Sequence, residues 1–334
     1  MTNSNREIHL AARPAGAARP EDFTLVETAI PEPGEGQVLV RNTWMSVDPY
    51  MRALMDAESE LELPQYEIGQ PLYGGAVGEV VASRSDAVPV GATVSHFLGW
   101  REYAVVDAAE ATVIDTGLAP AQSYLGPLGT TGLTAWAALT DVAPVREGDV
   151  VFVSAAAGAV GSVAGQLARI LGASKVIGSA GGPDKAKRLV HDFGFDAALD
   201  YKRGDLAGRL AEAAPDGIDL YVDNVGGDHL EAAIASMKTG ARAVLIGAIS
   251  GYDTPVPGPR NLGRIVQQQL TLRGMQVSAY FDRFPEYIGQ AAGWLADGSL
   301  RAAETVVEGI DQAPAAFLGV MTGANTGKML VRLP

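Results

Sequence analysis

The tetrapeptide Gly-Ala-Val-Gly occurs twice in the chain, at 75–78 and 158–161, and only the second copy stands where it can do chemistry. It follows the β-type run Val150, Val151, Phe152, Val153. It opens a stretch in which Val163, Leu167, Ile170 and Leu171 fall on one helical face, with Gly172 suited to stop the helix. Strand, glycine-rich turn and helix in that order form a cradle for a dinucleotide pyrophosphate, because small residues let backbone N–H groups and the helix N-terminus approach the phosphates. The pattern is Ala155-x-x-Gly158-x-x-Gly161, with alanine at the first glycine position. The first copy runs directly into Glu79, Val80 and Val81 and reads as a turn or bulge in a strand.

The next apolar run, residues 175–182, bears on which dinucleotide is held. A site for NAD sets a carboxylate about 20 residues beyond the glycines to hold the adenosine ribose. Here Gly178, Ser179 and Ala180 occupy that stretch. With no carboxylate to repel it, a 2′-phosphate is accommodated, and Lys185 on the following helix supplies a positive charge. NADP is therefore the expected cofactor. Lys185 also has a plainer reading as a solvated helix lysine, since Lys187 and Arg188 are close neighbours.

The elements that must hold these residues follow from the rhythm of the chain. From about residue 6 to 115, short alternating runs such as 37–42, 78–83 and 92–96 are separated by glycine and proline and read as closely spaced strands. Between about 120 and 300, β runs at 149–154, 175–179, 197–199, 218–222, 241–246 and 272–277 alternate with helical segments. This predicts an α/β fold with a doubly wound parallel sheet covered on both faces. From 302 the chain returns to short strands around a helix near 313–321, expected to pack on the first domain. The expected division is a β-rich domain from 1–120 and 300–334 and a dinucleotide-binding domain over 121–299.

Composition removes several function classes. Of 334 residues, 47% are hydrophobic and 19% charged, enough to core two domains and too little charge for disorder. The 25 Lys and Arg against 39 Asp and Glu leave a net charge of −14, which opposes binding to nucleic acid or an anionic membrane. The absence of cysteine excludes disulfides, thiolate zinc sites, iron–sulfur clusters and cysteine nucleophiles. His9, His96, His191 and His229 lack metal-ligand spacing, so no metal site is expected. The first ten residues lack the apolar core of a signal peptide, and the longest apolar stretch, about 150–160, is too short to cross a bilayer. A soluble, cytoplasmic protein is expected.

The motifs SVDPYMR (46–52), SAAAGAVGSVAGQLARILG (154–172), GFDAALDYK (194–202), DGIDLYVDNVGG (216–227), IGAISGY (246–252) and GANTGKMLV (323–331) resemble the zinc-independent medium-chain reductases. That family includes prostaglandin reductases, plant alkenal double-bond reductases and bacterial curcumin reductase. The resemblance covers nearly the whole chain in order. It implies a GroES-like β-rich catalytic domain, an inserted Rossmann domain and NADPH-dependent reduction of an α,β-unsaturated carbonyl. It places Gly158, Ala159, Val160 and Gly161 on the pyrophosphate and Lys185 with Tyr201 at the 2′-phosphate. Asn224, Gly247 and Ala248 would line the ribose and nicotinamide side, and Asn325 would reach the cofactor from the C-terminal stretch. Asn224 equally suits a cap on a helix starting near Asp228, and Asn325 a turn before Gly327. The chain departs from the family at Thr130-Thr131, where Met-Pro is common, and at residues 274–277, where an aromatic is common; both bear on substrate choice.

Hydride addition to the β-carbon of an enone leaves negative charge on the carbonyl oxygen, so the site needs a donor more than a base. Tyr252 follows the fifth strand's Gly247 at the carboxyl edge of the sheet and precedes a loop, 253–260, rich in proline and glycine. It is the first candidate to polarise the carbonyl and protonate the enolate; packing of that loop is its plainer role. Tyr50 is the second candidate, expected to shape the pocket. Asp48 and Arg52 suit a structural ion pair, and Trp44, Tyr50, Met51 and Met275 suggest an apolar lining for a small hydrophobic substrate. A quinone reductase differs only in the acceptor, and a non-catalytic NADPH-binding protein would bind the cofactor without oxidising it. Family resemblance and the hydrophobic strands near 241–277 point to a homodimer.

Overall fold

The computed structural model describes residues 4–59 and 61–334. In chain order the strands are β1 Ser4–Leu10, β2 Phe23–Ala29, β3 Gln37–Ser46, β4 Ala76–Ser83, β5 Thr93–His96, β6 Tyr103–Asp107, β7 Thr112–Val113, β8 Val150–Val153, β9 Lys175–Ala180, β10 Ala197–Asp200, β11 Ile218–Asp223, β12 Met237–Leu245, β13 Thr271–Gly274, β14 Glu304–Glu308 and β15 Lys328–Arg332. The helices are α1 Met51–Leu54, α2 Thr130–Ala137, α3 Ala159–Ile170, α4 Pro183–Phe193, α5 Leu206–Ala213, α6 Gly227–Ser236, α7 Gly263–Gln267, α8 Phe284–Ala296 and α9 Ala313–Met321. One unit takes residues 4–125 and 304–334, the other 126–303. Among the described residues, no helix is long and apolar enough to cross a membrane; the first three residues of the N-terminal segment lie outside them.

The first unit is built on a mixed sheet ordered β14-β15-β3-β4-β5-β7, with β6 also pairing β3. The C-terminal strand β15 runs antiparallel to β3 through Leu330↔Ser46, Val331↔Met45 and Arg332↔Trp44. Ile8, Leu10, Met45, Met51, Trp100 and Phe317 share one core beneath it. Burying each such side chain contributes on the order of 1.5–3 kcal/mol. The first Gly-Ala-Val-Gly copy ends at Gly78 in β4, where the register with β3 slips between Asn42 and Trp44. A methyl on Gly78 would come within 2.6 Å of Val40 Cγ1, so this glycine serves strand packing.

The second unit holds six strands in the order β10-β9-β8-β11-β12-β13, every neighbouring pair parallel. Strands such as β8, Val-Val-Phe-Val, are apolar on both faces because helices cover both. On one face Phe152, Ile177 and Tyr221 pack against Leu206 and Leu210 of α5 and Ala233 of α6. The order reverses between β8 and β11, and open α/β sheets bind ligands at the carboxyl ends of the strands beside that reversal. Strand β13 ends at Gly274 rather than near 277. Its neighbour β12 ends at Leu245 opposite Gly274, so the ladder has no partner further on and the chain turns into a 3₁₀ segment, Val277–Arg283.

Candidate functional site

At the end of β8 the chain turns through Ala155, held at φ +45°, and reaches Gly158, the N-cap of α3. No side chain caps this helix, and its first turn carries no acidic residue. The N–H groups of Ala159, Val160 and Gly161 therefore have no acceptor within the helix, which makes its N-terminus an anion site. Gly161 is required by the turn: a methyl would lie 2.8 Å from Ala156 Cα and strike the Ala155 carbonyl. A hydrogen bond of 2.8 Å from Ala156 N–H to the Ser179 carbonyl ties this turn to β9.

Lys185 stands in the first turn of α4, half-buried where Lys187 and Arg188 are exposed. Burial, and then repulsion from Lys202, lower its pKa from the ordinary lysine value. Tyr201 opens the turn Tyr201–Arg203 after β10. Its hydroxyl lies 2.9 Å, and Lys202 Cε 3.0 Å, from the point a β-carbon of Gly181 would occupy. Asp200 Oδ1 accepts hydrogen bonds from Gly182 N–H (2.8 Å) and Lys202 N–H (3.1 Å), so the nearby carboxylate is engaged by backbone. A lysine ammonium disfavoured by burial and by a second lysine, beside a tyrosine hydroxyl, suits a phosphate dianion. The residues present thus fit the 2′-phosphate and pyrophosphate of NADPH. Lys202 escaped sequence reasoning, although it directly follows Tyr201 in the Asp-Tyr-Lys run.

At the carboxyl ends of β11 and β12 a buried network fixes a second group of residues. Asp223 accepts from Tyr221 Oη (2.7 Å), Ser154 Oγ (3.1 Å) and the N–H groups of Val225 and Gly226 (both 2.9 Å). Asn224 N–H donates to Ser154 Oγ (2.9 Å) and its side-chain amide to the Ser154 carbonyl (2.8 Å). Asn224 does not cap α6, whose N-cap is Gly226 with no side-chain hydrogen bond. The Asn224 carbonyl accepts from Ile249 N–H at 3.4 Å, and Gly247 N–H donates to the Asp223 carbonyl at 3.2 Å. The Tyr252 hydroxyl lies 3.1 Å from the point a β-carbon on Gly247 would occupy. Burial raises its pKa from the ordinary tyrosine value, while a hydrogen bond from the Ala248 backbone pulls the other way. Asn224, Gly247, Ala248 and Tyr252 are thus one cluster.

The first unit holds the remaining candidates. Tyr50 is the N-cap residue of α1, with its hydroxyl 3.7 Å from the point a β-carbon of Gly74 would occupy. Burial first, then the charge of Asp48, push its pKa well above the usual value. The Asn325 side-chain amide donates to the Gly327 carbonyl at 2.6 Å and closes its own turn. Three sequence readings are corrected. Asp48 pairs with Lys328 and accepts from Ser46 Oγ, while Arg52 pairs with Asp56 at 2.9 Å one helical turn on. Met51 is in the hydrophobic core, 1% exposed, rather than lining a pocket. Trp44 lies under the Arg332 guanidinium, 5.6 Å from its ring centre, because the β3–β15 register sets these two residues opposite one another.

Comparison with known proteins fits this geometry. A family profile described as the N-terminal domain of oxidoreductase matches residues 6–114, and one described as zinc-binding dehydrogenase matches residues 159–293. The chain is 35% identical over 336 residues to the NADPH-dependent curcumin reductase of Escherichia coli (strain K12), covering 98% of this chain and 97% of that protein. It is 34% identical over 335 residues to the NADP(+)-dependent 2-alkenal reductase of Nicotiana tabacum, again covering 98% and 97%. Among solved structures, CurA from Vibrio vulnificus in complex with NADPH superposes with a TM-score of 0.92 at 37% identity, covering 98% of this chain and 99% of that one.

Proposed function

Because the chain belongs to the zinc-independent medium-chain dehydrogenase/reductase family, we propose that it reduces the carbon–carbon double bond of α,β-unsaturated ketones and aldehydes at the expense of NADPH. The observation that carries this reading is the pairing, in the unit of residues 126–303, of a phosphate-suited cation pair with a hydroxyl cluster at the strand ends. When bound, NADPH supplies the hydride that adds to the β-carbon. The chain's own residues do the rest. The N–H groups of Ala159, Val160 and Gly161 at the uncapped start of α3 hold the pyrophosphate, and Lys185, Tyr201 and Lys202 hold the 2′-phosphate. Asn224, Gly247 and Ala248 line the ribose and nicotinamide side, and Asn325 is a further residue assigned to the cofactor. Tyr252, with its oxygen accepting the Ala248 N–H and its proton free to donate, polarises the carbonyl and protonates the enolate. Tyr50 is the second hydroxyl available to the substrate.

The substrate is a small hydrophobic molecule, and the protein works in the cytoplasm as a homodimer. Support for the dimer comes from the free edge of β13 and the exposed Leu262, Val266 (81%) and Phe281 near it, which a second copy would cover. The deciding measurement is NADPH oxidation against matched panels of enals, enones and quinones. Turnover of enones and enals with a saturated product is expected. Turnover of quinones alone would reassign the acceptor, and tight NADPH binding without oxidation by any acceptor would make the protein a binder.

A further inference from the structure

Tyr252 stands near the start of a strap, residues 250–261, that is anchored at both ends to the start of α6. Ser250 donates twice to the Val225 carbonyl, from Oγ at 2.6 Å and from N–H at 3.2 Å. Gly226 and Gly227, at φ +72° and +50°, let the strap lie close. A β-carbon on Gly227 would come 3.1 Å from Ser250 Oγ and 3.6 Å from Val256 Cγ2. The far end is fixed about one helical turn on, at Glu231. Its carboxylate accepts from Arg260 N–H at 2.9 Å and from Arg260 Nη2 at 3.0 Å, and its carbonyl accepts from the Asn261 side-chain amide at 2.9 Å.

An ion pair on the surface ordinarily adds little, and the Arg260 side chain is 85% exposed. Glu231 differs because its carboxylate takes a backbone N–H of the strap as well as the guanidinium. The guanidinium first, and then that N–H, hold the carboxyl below the usual carboxylate range. Between the anchors the strap is exposed over 254–258 and carries Pro255, Pro257 and Pro259. Each proline fixes φ at about −65°, so the span is stiff and the seating of Arg260 bears on the position of Tyr252 at its other end.

We propose that Glu231 is a positioning residue for the reduction: by clamping Arg260 and Asn261 to α6, it seats the strap so that the Tyr252 hydroxyl stays beside Gly247 at the carboxyl edge of the sheet. Glu231 acts here through Tyr252 and touches neither substrate nor cofactor. The inference rests on the reading of Tyr252 as donor to the carbonyl.

The test is a double-mutant cycle of Glu231→Ala and Tyr252→Phe, read by single-turnover NADPH oxidation with a saturating enone and by NADPH affinity from fluorescence. A displacement of about 1 Å costs up to about 100-fold in rate, so partial release of the strap should lower the rate by roughly 3- to 10-fold, with NADPH affinity unchanged. In the Tyr252→Phe background Glu231→Ala should have no further effect, because the hydroxyl it positions is gone. An equal loss in both backgrounds, or a wild-type rate for Glu231→Ala, overturns the proposal. If Tyr252→Phe itself keeps the wild-type rate, the reading of Tyr252 falls and the inference with it; if Tyr252→Phe is slow and the Glu231→Ala loss is additive, the inference alone falls. Should Glu231→Ala not fold, Arg260→Ala at the exposed end of the clamp replaces it. A loss of rate in the wild-type background that vanishes with Tyr252→Phe supports the proposal, and no loss, or an equal loss in both, refutes it.

Discussion

Replacing Tyr252 by phenylalanine removes one hydroxyl and keeps the ring that packs beside Gly247. The oxygen that is lost accepts the Ala248 N–H and lies at the carboxyl end of β12, and burial raises the pKa of the group. A donor of this kind acts mainly on charge that develops during reaction. Its removal is expected to lower kcat for enones by roughly 10- to 1000-fold, or about 1.4–4 kcal/mol of transition-state stabilisation. The lower figure applies if water or a ribose hydroxyl takes over as donor. Because the raised pKa keeps the hydroxyl protonated above the ordinary tyrosine value of about 10, this donor should give no loss of rate between neutral pH and that value. Gly247→Ala offers an independent approach. Its methyl would meet the hydroxyl at 3.1 Å, closer than ordinary contact, so Tyr252 must shift by a few tenths of an ångström and kcat should fall part of the way. The assay is single-turnover NADPH oxidation with saturating enone, alongside cofactor affinity by fluorescence, which should hardly change for Tyr252→Phe. A Tyr252→Phe enzyme with wild-type kcat on its best enones would remove Tyr252 from the reaction and move the test to Tyr50→Phe.

Lys185→Ala should weaken NADPH binding by about 1.5–3 kcal/mol, the range of a charge-assisted hydrogen bond, and leave NADH nearly unchanged; equal losses for both cofactors would refute its place at the 2′-phosphate. Lys328→Met leaves Asp48 partly buried without its cation, with side chains 3% and 16% exposed in the native pair, and should cost on the order of 3–5 kcal/mol in urea unfolding. Asp48→Asn in the same chain should recover part of that loss, and an additive double variant would show the pair to be uncoupled. His96 is buried, with Nε2 2.8 Å from Asn42 Oδ1 and Nδ1 accepting from Leu98 N–H at 3.1 Å; burial, then Arg101, lower its pKa to about 3. The folded state therefore resists a proton that the unfolded chain takes up near 6.5. Stability held above that pH should fall by about 1.4 kcal/mol per unit as pH drops towards 3. His96→Gln should flatten that slope, and an unchanged slope would show that His96 protonates in the native protein.

Readings that depended on one stretch of chain were legible in the sequence, and those that depended on what packs against it were not. The run Val-Val-Phe-Val, the glycines at 158 and 161 and the stop at Gly172 report a strand, a tight turn and a helix end, and the structure has β8, an N-cap at Gly158 and a helix ending at Ile170. Ala313–Met321 is helical where the spacing of its apolar residues puts a helix. The partners of Asp48 were not legible: a carboxylate four residues before an arginine looks like a local pair. The β3–β15 register instead sets Leu330, two residues after Lys328, opposite Ser46, two residues before Asp48, and brings that lysine in from the far end of the chain. Met51 and Trp44 went the same way, since burial and cation–π stacking are properties of the sheet rather than of the SVDPYMR motif. Lys202 gave no signal of its own. It gains meaning only because parallel strands β9 and β10 end on one edge of the sheet, so that residues from two separate loops meet around Gly181 and Tyr201. That convergence is also why NADP is readable from one segment, the stretch 178–180 without a carboxylate and Lys185 beyond it, while Lys202 is not, since only the strand order brings it to Gly181.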